Sequence, residues 1–97
     1  MKLRFTPRAI ENIMAISSHI ELQNPAAALR VRAAIYESLQ NLILFPLIGR
    51  EQKAPTVRKL ITSRYAYLVY YRVDEEAEEI IILNVKHPAQ QRHHDDA

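Results

Sequence analysis

VRKLITSRYAYLVYYRV, residues 57–73, is the stretch on which the fold turns. It predicts two short strands joined by a tight turn near Ser63 and Arg64. In its second half the odd positions Tyr67, Val69, Tyr71 and Val73 form one row, and the even positions Leu68, Tyr70 and Arg72 form the other. Successive side chains of a strand point to opposite faces, so one row can line a core while the other meets solvent or a partner. Tyr67 and Tyr71 are assigned to core packing, with their hydroxyls at the rim. The stretch carries Arg58, Lys59, Arg64 and Arg72 and no acid. That charge points to recognition of something acidic and names no reaction.

Working toward the C-terminus, residues 74–77 predict an acidic turn and residues 79–87 another strand. Ile81, Leu83 and Val85 alternate there with Ile80, Ile82 and Asn84. Residues 80–83 are apolar on both rows, which fits a central strand covered on both sides or a surface awaiting a partner. Pro88 ends it, and residues 90–97 read as a flexible polar tail. Toward the N-terminus, residues 51–56 form a polar loop. Gly49, the single glycine, sits in the turn after Pro46. Asn24-Pro25 and Thr6-Pro7 are cap-then-proline signals for two helices. The first helix is predicted to end near Leu22 and to turn Ile10, Ile13, Met14, Ser17 and Ile20 inward. The second turns in Ala28, Val31, Ile35, Leu39 and Leu42 and ends before Pro46. A short strand over residues 2–5 precedes both.

The order is therefore β-α-α-β-β-β. It predicts one α+β domain over residues 1–97, with an N-terminal helical hairpin packed on one face of a mostly antiparallel four-stranded sheet. At 97 residues and 48% hydrophobic content, the chain has room for one core and a working surface outside it. Five of its 11 acids, Asp74, Glu75, Glu76, Glu78 and Glu79, stand in one run. The rest of the chain sets 13 basic residues against 6 acids, a surplus of 7. Such a field favours nucleic acid, an acidic peptide or an acidic protein surface. There is no cysteine, no signal-peptide pattern and no apolar run of the roughly 20 residues that span a bilayer. A soluble cytoplasmic protein is the expectation.

The single glycine leaves no phosphate-binding loop. His93 and His94 lie in a polar tail and are read as solvated rather than metal-binding, and His19 as a helix-surface residue. No cofactor, metal or small-molecule substrate is expected. A set of Arg, Lys, Tyr and His can cleave RNA, because cations stabilise the pentacovalent phosphate while His or Tyr moves protons. The residues available for that chemistry are Arg58, Lys59, Arg64, Tyr70, Arg72 and His87. Two of them have plain structural alternatives. Arg72 can pair with Glu78 or Glu79 across the hairpin, and His87 can cap the strand end.

Several motifs in order along the chain carry a resemblance. They are Thr6-Pro7-Arg8-Ala9, Asn24-Pro25-Ala26-Ala27, Phe45-Pro46-Leu47-Ile48-Gly49-Arg50 and Val57-Arg58-Lys59-Leu60. Then come Arg64-Tyr65, Tyr67-Leu68-Val69-Tyr70-Tyr71-Arg72-Val73, Ile82-Leu83-Asn84-Val85-Lys86-His87 and Gln90-Gln91-Arg92. With them the chain resembles the ParE-type toxins of the ParE/RelE superfamily, the toxin half of bacterial type II toxin–antitoxin pairs. RelE-like members cut messenger RNA on the ribosome, whereas ParE-like members poison DNA gyrase. The positions where RelE-like nucleases hold basic groups fall here on Ile61, Leu68 and near Pro88, and Lys59 alone keeps a matching charge. An aliphatic group cannot neutralise a phosphate transition state, so the resemblance implies a gyrase inhibitor more than a nuclease.

The alternatives are a ribosome-dependent endoribonuclease using Lys59, Arg64, Arg72 and His87, or a relic that only binds antitoxin. The resemblance further implies an antitoxin with an acidic, amphipathic segment, a role in plasmid stabilisation, and contact with operator DNA only through the antitoxin. The residues expected to meet antitoxin or target are Arg58, Lys59, Arg64, Leu68, Tyr70, Arg72, His87 and Arg92.

Overall fold

Two caps and two prolines start the helices where the sequence places them. In the computed structural model, which describes residues 1–88, the first strand, β1, is Lys2–Phe5, and helix α1 follows at Pro7–Glu21. The Thr6 hydroxyl accepts the Ala9 N–H at 3.1 Å, and Pro7 fills the first turn, where its missing N–H costs nothing. Asn24 does the same for α2, Pro25–Leu44, through the Ala27 N–H at 3.1 Å. Phe45, held before Pro46, caps its end. The strands β2 (Arg50–Glu51), β3 (Val57–Ile61), β4 (Leu68–Asp74) and β5 (Glu79–Lys86) complete the described chain. The tail expected from residue 90 lies outside the described residues.

The sheet runs β1-β5-β4-β3-β2, with β1 parallel to β5 and every other pairing antiparallel. It has five strands rather than the expected four. Arg50 and Glu51, read as the approach to and start of a polar loop, pair with Lys59 and Arg58 instead. β5, with its two-sided apolar run, is an interior strand between β1 and β4, covered by the helices on one face. The helices pack on one face, over Val69, Tyr71, Ile80, Ile82 and Val85, and Val31, Ile35, Leu39 and Leu42 supply the α2 side of the core.

Three details differ from expectation, each for a physical reason. First, Ile82 and Val85 share the core face although their numbers differ in parity. Tyr70 pairs with Asn84 and Tyr71 with Ile82, so Leu83 is the extra residue of a β-bulge that resets the alternation. Ile80 and Ile82 from one row and Val85 from the other therefore face the helices together. Second, Ile10 and Met14 point outward, 48% and 63% exposed, and the buried line of α1 runs through Ala9, Ile13, Ile16, Ser17 and Ile20. Both lines keep a 3–4 spacing. The rotation is set by the bulge, where Thr6 Oγ1 donates to the Leu83 carbonyl at 2.8 Å and Asn12 Oδ1 accepts the Val85 N–H at 3.0 Å. Third, β3 and β4 are joined by a six-residue loop, 62–67, rather than a tight turn. Tyr65 and Ala66 take left-handed φ values of 65° and 52° there. Buried Thr62 closes the loop by donating to the Arg64 carbonyl at 2.6 Å and accepting the Tyr67 N–H at 2.9 Å.

Candidate functional site

With the register fixed, the face of the sheet opposite the helices can be read row by row. Arg4, Ile81, Arg72 and Val57 stand side by side, and Asn84, Tyr70, Lys59 and Arg50 form the next row. Lys86, Leu68 and Ile61 form a third. At the other end Lys2 meets Glu79, which faces Asp74. This outer face holds a cation on every strand, and its two carboxylates both lie at the end formed by the acidic turn. Glu79 pairs with Arg4 at 3.4 Å, not with Arg72, and Arg72 takes part in neither ion pair found among the described residues. Lys86 Nζ lies 5.3 Å from the centre of the Tyr70 ring, a cation–π distance.

The expected site residues divide among three places. Lys59, Leu68, Tyr70 and Arg72 share the outer face. Leu68 is only 4% exposed and Ile81 only 7%, so these two apolar side chains are already withdrawn from solvent, whereas Ile61 beside Leu68 is 55% exposed. Arg58 lies on the opposite face and is largely buried. Its guanidinium donates to the Gly49 carbonyl at 2.8 Å, to the Leu47 carbonyl at 3.2 Å and to Glu51 at 3.3 Å. Arg64 stands in the 62–67 loop, 5.4 Å from the centre of the Tyr65 ring. His87 is on the helix side, edge-on to Tyr67 at 5.5 Å. It lines an open hollow of about 410 Å³ with Ala15, Ile16, His19, Ile20 and Tyr67. Arg92 lies outside the described residues. Lys59 and Arg72 are thus separated by the sheet from His87 and by the loop from Arg64.

Sequence reading missed Lys2, Arg4, Arg50 and Lys86 as part of the basic face. Their parity was legible, but their common side depends on the strand order and on the bulge. It also assigned no role to the exposed apolar side chains of the loop after α2. Leu44, Phe45, Leu47 and Ile48 are 56–70% exposed and border a single hollow. The loop backbone beneath them is tied down. The buried Tyr71 hydroxyl donates to the Pro46 carbonyl at 2.8 Å and accepts the Gly49 N–H at 2.8 Å, and Arg58 holds the Leu47 and Gly49 carbonyls.

Burial pushes the Tyr67 and Tyr71 hydroxyls above the usual 10.0. For Tyr67 the neighbouring Tyr65 adds to the rise, and for Tyr71 the Gly49 N–H and Arg58 partly offset it. Above pH 10 the unfolded chain therefore releases these protons while the folded chain keeps them. The stability they confer is full below 10 and is lost as pH rises through the raised folded values. Urea denaturation from about pH 8 to about pH 11 should show a fall only at the alkaline end, flatter in Tyr67→Phe.

The family model described as "ParE toxin of type II toxin-antitoxin system, parDE" matches residues 3–92. A Sinorhizobium fredii protein named "Putative toxin Y4kP" is 33% identical over 90 residues, which cover 93% of this chain and 91% of that protein. Among solved structures, a chain of the chromosomal ParDE system of P. aeruginosa superposes with a TM-score of 0.77 at 29% identity, covering 90% of this chain and 95% of that one. The E. coli RelBE toxin–antitoxin complex gives a TM-score of 0.67 at 19% identity over 89% of this chain and 94% of that one, a likeness of fold. The bulged sheet, the helical hairpin on one of its faces and the match along nearly the whole described chain agree, and the protein belongs to the ParE toxin family of type II toxin–antitoxin systems.

Proposed function

We propose that the free toxin inhibits DNA gyrase in the cytoplasm and that a cognate antitoxin holds it silent. The observation that carries this reading is the scatter of the groups that cleavage would need. Lys59, Tyr70 and Arg72 share the outer face, but Arg64 is on a loop and His87, the imidazole that would complete an acid–base pair with Tyr70, is against Tyr67 on the helix side. General acid–base cleavage requires donor and acceptor within hydrogen-bond reach of one phosphate. Where RelE-like nucleases hold basic groups, Ile61 pairs with Leu68 across the strands. Interference with a macromolecule needs no such convergence.

The antitoxin is read as a segment with an apolar side and an acidic side. Leu44, Phe45, Leu47 and Ile48 are exposed above a backbone tied down at Pro46, Leu47 and Gly49, which suits the apolar side. Arg50, the residue after Gly49, supplies a cation beside this loop for the acidic side. Operator DNA is contacted through the antitoxin.

Purified toxin is expected to block supercoiling of relaxed plasmid by gyrase, to leave ribosome-bound messenger intact, and to lose its effect when antitoxin is added. Messenger cut at codon-related positions with supercoiling unimpeded would instead make it an endoribonuclease. Absence of both effects, with antitoxin still bound, would make it a relic.

A further inference from the structure

We propose that the outer face of the sheet binds the phosphate backbone of duplex DNA. The inference deepens the gyrase reading, since gyrase works on duplex DNA, and it rests on that reading for its biological role.

Charge distribution carries it. Lys2 and Arg4 on β1, Lys86 on β5, Arg72 on β4, Lys59 on β3 and Arg50 on β2 all project to this side. Four inter-strand steps of roughly 4.8 Å spread these cations over about 19 Å. The acids on this face, Glu79 and Asp74, are confined to one end, where Glu79 engages Arg4 at 3.4 Å, so the rest of the face carries cations and no acid. A single acidic helix or strand follows one line and meets one row of such a field. A duplex offers phosphates on two strands, separated by about 12 Å across its major groove. Those two lines can meet cations on both halves of the sheet at once.

The apolar content of the face decides between nucleic acid and peptide. Amphipathic segments bind by burying apolar side chains in apolar hollows. Here Leu68 and Ile81 are already out of solvent, and Ile61 is the large aliphatic residue of this face that remains more than half exposed. Exposed apolar side chains are grouped elsewhere, at residues 44–48, where α2 ends and the loop after it begins. What this face offers a partner is mainly charge, together with hydrogen-bonding groups and the Tyr70 ring, and phosphate-backbone binding draws on charge without needing apolar pockets.

The test uses the full chain alone, titrated against a fluorescent mixed-sequence duplex, a single-stranded RNA of equal length and a polyglutamate peptide. Duplex binding is expected to be tightest. Neutralising four to five phosphates should make log K fall with log salt at a slope of about −4. The triple variant Arg50→Gln, Arg72→Gln, Lys86→Gln should reduce that slope by about 0.9 for each cation removed. Circular dichroism checks its fold, and Arg72→Gln alone carries the same test if the triple variant unfolds.

No duplex binding at low salt, an unchanged slope in the variant, or tighter binding of the RNA or the polyglutamate would each overturn the proposal. A block of supercoiling without duplex affinity would remove this proposal and leave the gyrase reading standing. Duplex affinity with normal supercoiling would do the reverse.

Discussion

Gly49→Ala is expected to lower the stability of the fold by about 3 kcal/mol or more, from overpacking and lost hydrogen bonds together. A Cβ at position 49 would lie 2.5 Å from the Tyr71 hydroxyl oxygen and 2.6 Å from a ring carbon, well inside contact distance. Glycine is needed there for space, since the positive φ angles of the described chain belong to other residues. The ring cannot retreat, because Tyr71 is fully buried among the core side chains. Moving the loop instead breaks the paired bonds to Pro46 and Gly49, which leaves buried polar groups without partners. Tyr71→Phe keeps the ring and removes only the hydroxyl, at an expected cost of about 1–3 kcal/mol. Urea denaturation of Gly49→Ala, of Tyr71→Leu and of the two combined measures the coupling. Vacating the ring space should make the double variant less damaged than the two single costs predict together. Additive costs would show that the loop does not rest on the ring.

The second large effect separates two arginines that look alike in sequence. Arg58→Glu is expected to cost about 2–4 kcal/mol, because it removes the donors that hold the Leu47 and Gly49 carbonyls and brings a carboxylate toward Glu51. Arg72→Glu, at an exposed position, should change stability by no more than about 0.5 kcal/mol. The functional outcomes should differ as well. Arg72→Glu should weaken gyrase inhibition in a folded protein, while Arg58→Glu should lose it through the fold. Denaturation midpoints together with a supercoiling assay check both. A stable Arg58→Glu protein would mean that the loop is held by Tyr71 alone.

These two arginines show where sequence reading stops. Elements were legible wherever local chemistry dictates them. Thr6-Pro7 and Asn24-Pro25 announce the helix starts, and the alternation at 67–73 announces β4, with Tyr71 correctly placed in the core. The rotation of α1 was not legible, because Asn12 and Thr6 set it by binding a bulge more than 70 residues away. The bulge itself leaves no local signal beyond an apolar run that suits either parity. The facing of Arg58 follows from its pairing with Tyr71 across two strands, a non-local fact. For the same reason the basic face looked like a hairpin property when it belongs to all five strands. The two-residue strand at Arg50–Glu51 is too short for any periodicity to announce.

The interior position of β5 also bears on synthesis. This strand hydrogen-bonds to β1 on one side and β4 on the other, yet it is the last of the described elements to be made. Until Glu79–Lys86 emerges from the ribosome, the opening strand has no neighbour and the helical hairpin lacks Ile80, Ile82 and Val85 to pack on. Local helices can form early, but a sheet closed by its final segment cannot assemble stepwise as the chain grows. A chain that stops before Glu79 therefore lacks the strand that joins β1 to the rest of the sheet.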